Sequence, residues 1–177
     1  MKRIYLCLAA LSLLVLLAVS CATDTQQSSV ANANETGLSS MQLDHFLVGT
    51  ADYDGTMQWY QDKLGATVDV EWTVEGLSDL RLAYLEINGD RIEVIGSLQS
   101  IPGAPEPDDF AEHLRTAGYS HICFSVDDVD ATMAQLAQRD VPAFVPAADY
   151  ANLNARVSFI KDNNGNVIEF TGPMANT

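Results

Sequence analysis

Apolar and polar positions along this chain fall into two matching sets of segments. Leu43-Asp-His-Phe-Leu-Val-Gly49 is an apolar run of strand length. In 52–64, Met57, Tyr60 and Leu64 recur at helical spacing, with Asp52 or Asp54 placed to cap the start and Gly65 the end. Segments 68–73, 80–87 and 91–95 read as strands, the last two joined by the tight-turn pair Asn88-Gly89. The order then recurs. A strand at 119–126 precedes a helix at 128–139 with Val129, Met133 and Leu136 on one face. Strands at 142–145, 156–161 and 166–171 follow, with Asn164-Gly165 as the corresponding turn. The pattern predicts an α+β fold of two tandem βαβββ modules, 41–97 and 118–173. The connector 98–117 holds Pro102, Pro105 and Pro107 and then a short helical stretch through Phe110 and Leu114; it is expected to let the second half swing across.

The recurrence extends to residue identity. Residues 45–97 superpose on 121–173 at an offset of 76 without a gap, with 11 identities in 53 positions. Ordinary amino-acid usage would give roughly three. His45 falls on His121 and Glu93 on Glu169, while Asn88, Gly89 and Gly96 fall on Asn164, Gly165 and Gly172. Strand side chains alternate between faces. In 43–49 and 91–95 the more apolar faces are Phe46, Val48 and Ile92, Val94; in 119–126 and 166–171 they are Ile122, Phe124 and Ile168, Phe170. In all four segments the other, mixed face carries the His or the Glu. Packing the apolar faces beneath helices would aim His45, Glu93, His121 and Glu169 at one cavity. Buried carboxylates without a lysine nearby in sequence call for a cation. His2Glu2 suits one divalent ion: Zn, Ni, Co, Mn or Fe(II). A hydrogen-bonded His–Glu network that holds no metal is the alternative.

The N-terminus has a different character. Met1-Lys2-Arg3 followed by the apolar run Ile4–Ser20 fits an export signal. Ala18-Val19-Ser20-Cys21 resembles a bacterial lipobox, which makes Cys21 the expected lipidation site and 21–40 a polar tether. The chain is thus expected to be an exported lipoprotein, held on a cell-envelope membrane by its lipid alone and facing the periplasm; secretion in soluble form is the alternative. Cys7 would leave with the signal, so Cys123 is the one thiol of the body, and the domain must be held by its core rather than a disulfide. Removing Lys2 and Arg3 leaves seven basic against 24 acidic residues, a charge of −17. Such a surface repels nucleic acid and anionic headgroups, so neither is an expected partner.

Three motifs carry a family resemblance across 41–173. They are Leu43-Asp-His45 leading to Trp59-Tyr60-Gln-Asp-Lys-Leu-Gly65, then Gly118-Tyr-Ser-His121-Ile-Cys-Phe-Ser-Val-Asp-Asp-Val129, and Lys161-Asp-Asn-Asn-Gly165-Asn-Val-Ile-Glu169. Together they resemble the vicinal oxygen chelate superfamily, which includes glyoxalase I, extradiol dioxygenases and bleomycin resistance proteins. The resemblance implies a curved mixed sheet forming a cup around one metal held by His45, Glu93, His121 and Glu169. It implies a glyoxalase-like lyase or isomerase acting on a small molecule with vicinal oxygens through an enediolate. Glu169, with Glu93 as its counterpart, would move the proton. A binding protein of the bleomycin-resistance type and an Fe(II) extradiol dioxygenase are the alternatives. Substrate choice is expected where the halves differ: at Trp72, Arg91, Phe159 and the connector. Arg91 either holds an anionic group or balances the charge of the site. Cys123 reads as a small buried hydrophobe and His113 as a surface residue. A second copy of the chain remains open as a partner.

Overall fold

The computed structural model describes residues 38, 40–97, 99–101, 103 and 105–174. The signal segment 1–20 and Cys21 lie outside the described residues. Leu43–Thr177 forms a compact unit distinct from Met1–Gln42. Among the described residues no helix is long and apolar enough to cross a membrane.

The elements follow the order expected from the pattern. β1 (His45–Thr50) leads to α1 (Tyr53–Trp59), which continues as a π-helical turn, Tyr60–Leu64. β2 (Thr67–Val74), β3 (Leu77–Ile87) and β4 (Asp90–Gly96) complete the first half. After α2 (Phe110–Arg115) come β5 (His121–Ser125), α3 (Val129–Gln138), β6 (Val145–Tyr150), β7 (Ala155–Lys161) and β8 (Val167–Gly172). Each half makes one four-stranded mixed sheet, β1-β4-β3-β2 and β5-β8-β7-β6. β1 runs parallel to β4 and β5 parallel to β8, so the intervening helix must cross its sheet to bring the chain back. The α+β class and the tandem βαβββ order are those read from the sequence.

Local chemistry explains the boundaries. Asp52 accepts a hydrogen bond from the Gly55 amide at 3.0 Å, and Asp128 one from the Ala131 amide at 2.9 Å, so the same residue type caps both helices. Gly65 ends the first at φ 77°. Asn88 and Gly89, at φ 52° and 95°, make the two-residue turn between β3 and β4.

The second half departs from the repeat in two places. The strand expected at 142–145 lies at Val145–Tyr150. Its pairing with β7 is irregular between Val145 and Ala148, around Pro146, which an edge strand tolerates because its outer side needs no ladder bond. Asn164-Gly165 is also not a two-residue turn. Lys161 pairs with Val167, leaving the five-residue loop 162–166 folded around Asp162. Its carboxylate accepts from the Asn164 and Asn166 amides, each at 2.8 Å, from Asn166 Nδ2 at 2.9 Å, and from the Tyr60 hydroxyl at 2.9 Å. The wider loop shifts β7 by one residue. Tyr84 stands opposite Glu93, whereas Phe159, not the offset-76 residue Ile160, stands opposite Glu169.

The two halves share one core. Phe46, Val48, Ile92 and Val94 from the first sheet, Ile122, Phe124, Ile168 and Phe170 from the second, and Met57, Tyr60 and Leu136 from the helical segments belong to a single apolar cluster. Phe46 meets Phe124 edge-on at 6.2 Å. A second, smaller cluster gathers Val157, Phe159 and Val167 beneath Phe110 and Phe144. All of these residues lie within Leu43–Thr177, which therefore carries the core it needs to fold alone.

The repeated pair Gly96 and Gly172 has a packing cause. A Cβ on Gly96 would lie 2.4 Å from Tyr53 Cβ, and one on Gly172 would lie 2.5 Å from the Val126 carbonyl oxygen. Gly172→Ala is expected to cost about 2 kcal/mol, because the clash is with backbone that cannot rotate away. Urea unfolding of the variant reads this directly; a loss under about 0.5 kcal/mol would mean the approach has slack.

Candidate active site: two His–Glu pairs

The strand alternation places each His beside its Glu. β1 and β4 are parallel neighbours, as are β5 and β8, so residues of the mixed faces meet across the ladder. His45 Nε2 lies 3.0 Å from Glu93 Oε2, and His121 Nε2 lies 2.8 Å from Glu169 Oε2. Both carboxylates are largely shielded; Glu93 is 9% exposed. Among the described residues, no lysine or arginine forms an ion pair with either glutamate.

Each imidazole is held through its other nitrogen, by different partners. His45 Nδ1 lies 2.7 Å from Asp44 Oδ1, whose carboxyl is held below the usual range by that bond and by Arg91. A carboxylate can only accept, so Nδ1 carries the hydrogen and a neutral His45 turns an Nε2 lone pair toward Glu93. Two acceptors 3.0 Å apart need a cation between them, a proton or a metal ion. His121 Nδ1 lies 3.0 Å from His113 Nε2, which is also 3.2 Å from Ser120 Oγ. His113 is not at the surface as expected but 4% exposed, stacked on Phe110 at 6.0 Å. Burial, then the charges of His121 and Lys161, push its pKa down. Each of the three histidines of the chain therefore belongs to one of the two pairs or stands behind it. The sequence pattern marks Phe110 and Leu114 as the apolar positions of α2, whereas the side that packs on the second sheet carries Phe110 and His113 and leaves Leu114 exposed. The connector does not merely span the halves. Phe110 packs on Phe159 at 4.6 Å, and Lys161 bonds to Glu106 at 2.6 Å and to the Pro107 carbonyl at 2.9 Å.

Among the described residues, no group of three or more His, Cys, Asp and Glu side chains is arranged to hold an ion, so the expected quartet is not assembled within one chain. Phe46 and Phe124, from the apolar faces, meet where the two halves share their core, and each His–Glu pair lies on the opposite face of its own strands.

The expected substrate residues take distinct positions. Trp72 packs on Tyr84 at 4.8 Å, and Tyr84 on His45 at 5.4 Å, forming an aromatic shelf beside Glu93. Arg91 lies over the Tyr84 ring at 4.7 Å and reaches Asp44 at 3.3 Å, so its charge is partly committed. The Asn88-Gly89 turn, by fixing the register, already placed Tyr84 opposite Glu93; the sequence reading did not follow it there. Phe159 is 5% exposed beneath Phe110 and touches His121 edge-on at 5.6 Å. In this conformation it supports the imidazole rather than lining open space. Cys123 is exposed, not buried as expected. It shares a cleft of about 170 Å³ with Leu43, His45 and Arg91. Partial desolvation of the sulfur and the adjacent Glu169 push its thiol up to about 12.

Comparison with known proteins agrees with the geometry. Residues 42–170 match the model of the Glyoxalase/Bleomycin resistance protein/Dioxygenase superfamily. An uncharacterized Escherichia coli protein, YaeR, is 30% identical over 128 residues, covering 72% of this chain and 93% of its own. A glyoxalase family protein from Enterococcus faecalis shares the fold at a TM-score of 0.61 and 20% identity, covering 73% of this chain and 96% of that one. A trypanothione-dependent glyoxalase I from Leishmania major shares it at 0.56 and 21% identity, over 75% of this chain and 87% of that one. Strand order, the paired His–Glu faces and the family match over most of the body lead to one assignment: the chain belongs to the glyoxalase/bleomycin resistance protein/dioxygenase superfamily.

Proposed function

We propose that this protein is an exported, metal-dependent lyase or isomerase of glyoxalase type, acting on a small molecule with vicinal oxygens. The observation that carries the proposal is the duplicated pair: an Nε2 facing a shielded carboxylate, with Nδ1 held from behind, in both halves. The donors fit a divalent ion of the Zn, Ni, Co, Mn or Fe(II) kind, since imidazole nitrogen and carboxylate oxygen suit all of them. Each pair supplies two donors, and such ions take four or more ligands. One site is therefore completed by His45 and Glu93 of one chain and His121 and Glu169 of a second copy. Exposed apolar residues flank both pairs, as an interface requires: Leu43 and Leu47 beside His45, and Tyr119 beside His121.

The bound ion would act as a Lewis acid on the vicinal oxygens and acidify the adjacent C–H. Glu169 is the base that takes this proton and returns it to the neighbouring carbon, and Glu93 is its counterpart in the other half. The Trp72–Tyr84 shelf would exclude water from one side, with Arg91 at its rim. Elemental analysis of purified Leu43–Thr177 tests the reading first. One tightly held divalent ion per chain is expected, together with ion-dependent turnover in a screen of 2-oxoaldehyde adducts and 2-hydroxy carbonyl compounds. Absence of tight binding for every divalent ion offered would defeat it. Substrate binding that persists without the ion and without turnover would favour the sequestering alternative.

A further inference from the structure

The pseudo-symmetry of the chain exposes a second cavity, separate from the His–Glu pairs. Where α1 and its π-helical turn meet the 162–166 loop, the junction is filled. Tyr60 is 1% exposed with its hydroxyl on Asp162, and Thr56 Oγ1 accepts from Asn164 Nδ2 at 3.0 Å. The image of this junction lies between α3 and the Asn88-Gly89 turn, and it is open. Leu136 stands at the offset-76 position of Tyr60, and Gln135 at that of Trp59. Thr132, the counterpart of Thr56, donates to its own helix at Asp128 O, 2.8 Å away, instead of closing on the turn. A cavity of about 410 Å³ remains, bounded by the helix, the turn and strands β5 and β8.

The lining has a definite chemistry. Phe124 and Phe170, stacked 6.1 Å apart, join Leu64 and Leu136 as an apolar floor. Lys63 and Arg139 form one side, and they are themselves an offset-76 pair at the ends of the two helical segments. Lys63 Nζ donates to the Arg139 carbonyl at 2.5 Å and Arg139 Nη1 to the Lys63 carbonyl at 2.7 Å. These bonds hold both cations in place while using one donor of each; an ammonium has three and a guanidinium five. Among the described residues neither forms an ion pair with a carboxylate, unlike Arg81, Arg91, Arg156 and Lys161. Asn88 and Asp90 line the turn side, so an anionic group would be directed away from Asp90 toward the two cations. In a chain of net charge −15, two unneutralised cations beside an apolar floor form a selective feature.

We propose that this cavity binds a small aromatic carboxylate, its ring taking the place that Tyr60 fills in the other junction and its carboxylate meeting Lys63 and Arg139. The volume falls in the range of small-molecule sites, roughly 300–1,000 Å³. The site does not depend on the metal reading, because no His–Glu residue lines it.

The test is equilibrium binding of 2-naphthoate to Leu43–Thr177 by titration calorimetry, with chelator present. Saturable binding of one molecule per chain is expected, with neutral 2-naphthamide about tenfold weaker or worse for want of the charge-assisted bonds. Lys63→Met and Arg139→Met are each expected to weaken naphthoate about tenfold. Leu136→Tyr, which copies the filled junction, is expected to abolish binding while the circular dichroism spectrum is retained. If that variant fails to fold, the two cation variants decide. Naphthoate that does not saturate at any soluble concentration overturns the proposal. So does binding unchanged by Lys63→Met and Arg139→Met, or binding retained in a folded Leu136→Tyr protein.

Discussion

Replacing Glu169 by Gln is expected to lower divalent-ion affinity about 100-fold or more, a larger loss than removal of an outer partner brings to a metal-bound histidine. The substitution is nearly isosteric, so the fold should stand. What changes is charge. Glu169 lies 2.8 Å from His121 Nε2 and is the acidic member of that pair, and an amide oxygen is a much weaker donor for a divalent ion than a carboxylate. Glu93→Gln should act alike, because Glu93 takes the same place beside His45 at 3.0 Å. Competition against a chromophoric chelator measures both. Affinity within about threefold of the unsubstituted protein would remove Glu169 from the ligand set. The same substitution takes away the proposed base, so turnover should be lost even when metal is supplied in excess.

The second large effect is on stability. Asp162→Ala is expected to destabilise the domain by about 3 kcal/mol or more, since a charge-assisted hydrogen bond contributes about 1.5–3 kcal/mol and an orphaned buried group costs about 1–3. Asp162 is 7% exposed and accepts four hydrogen bonds, two from amides of its own loop, one from the Asn166 side chain and one from Tyr60. Its removal would release the 162–166 loop and leave the Tyr60 hydroxyl buried without that acceptor. Tyr60→Phe, which removes a single bond, should cost only about 1 kcal/mol. Urea unfolding with unchanged slope separates the two. A loss below about 1 kcal/mol for Asp162→Ala would show that water replaces the carboxylate at low cost.

These two residues mark how far the sequence could be read. Glu169 was visible because strand alternation is a rigid rule: once 91–95 and 167–171 are strands, Glu93 and Glu169 must share faces with their neighbours two positions away. The start of α1 was visible for a similar reason: of the two candidate caps, Asp52 and Asp54, it is Asp52 that supplies the side-chain acceptor. Asp162 was not visible. Its role depends on a five-residue loop, and the Asn164-Gly165 pair suggested a two-residue turn instead. The slip moved Phe159 rather than Ile160 opposite Glu169, so a gapless repeat does not describe β7. His113 was missed because its burial comes from α2 folding onto the second sheet, a tertiary contact that no local pattern encodes. Whether the two His–Glu pairs meet within one chain or between two copies could not be read, for the same reason. Alternation fixes the face on which a side chain lies, while the packing of one half on the other fixes where that face looks, and here the apolar faces claim the contact within the chain.

Complementation between two variants tests whether two copies of the chain complete one metal site. One variant carries His45→Ala and Glu93→Gln, the other His121→Ala and Glu169→Gln. Each alone lacks one half of every site and should bind no divalent ion tightly. Mixed in equal amounts under conditions that allow exchange, they should regain tight binding, because a mixed dimer joins the intact pair of one chain to the intact pair of the other. If binding stays absent in the mixture while the unsubstituted protein binds its ion, the site is not shared between chains.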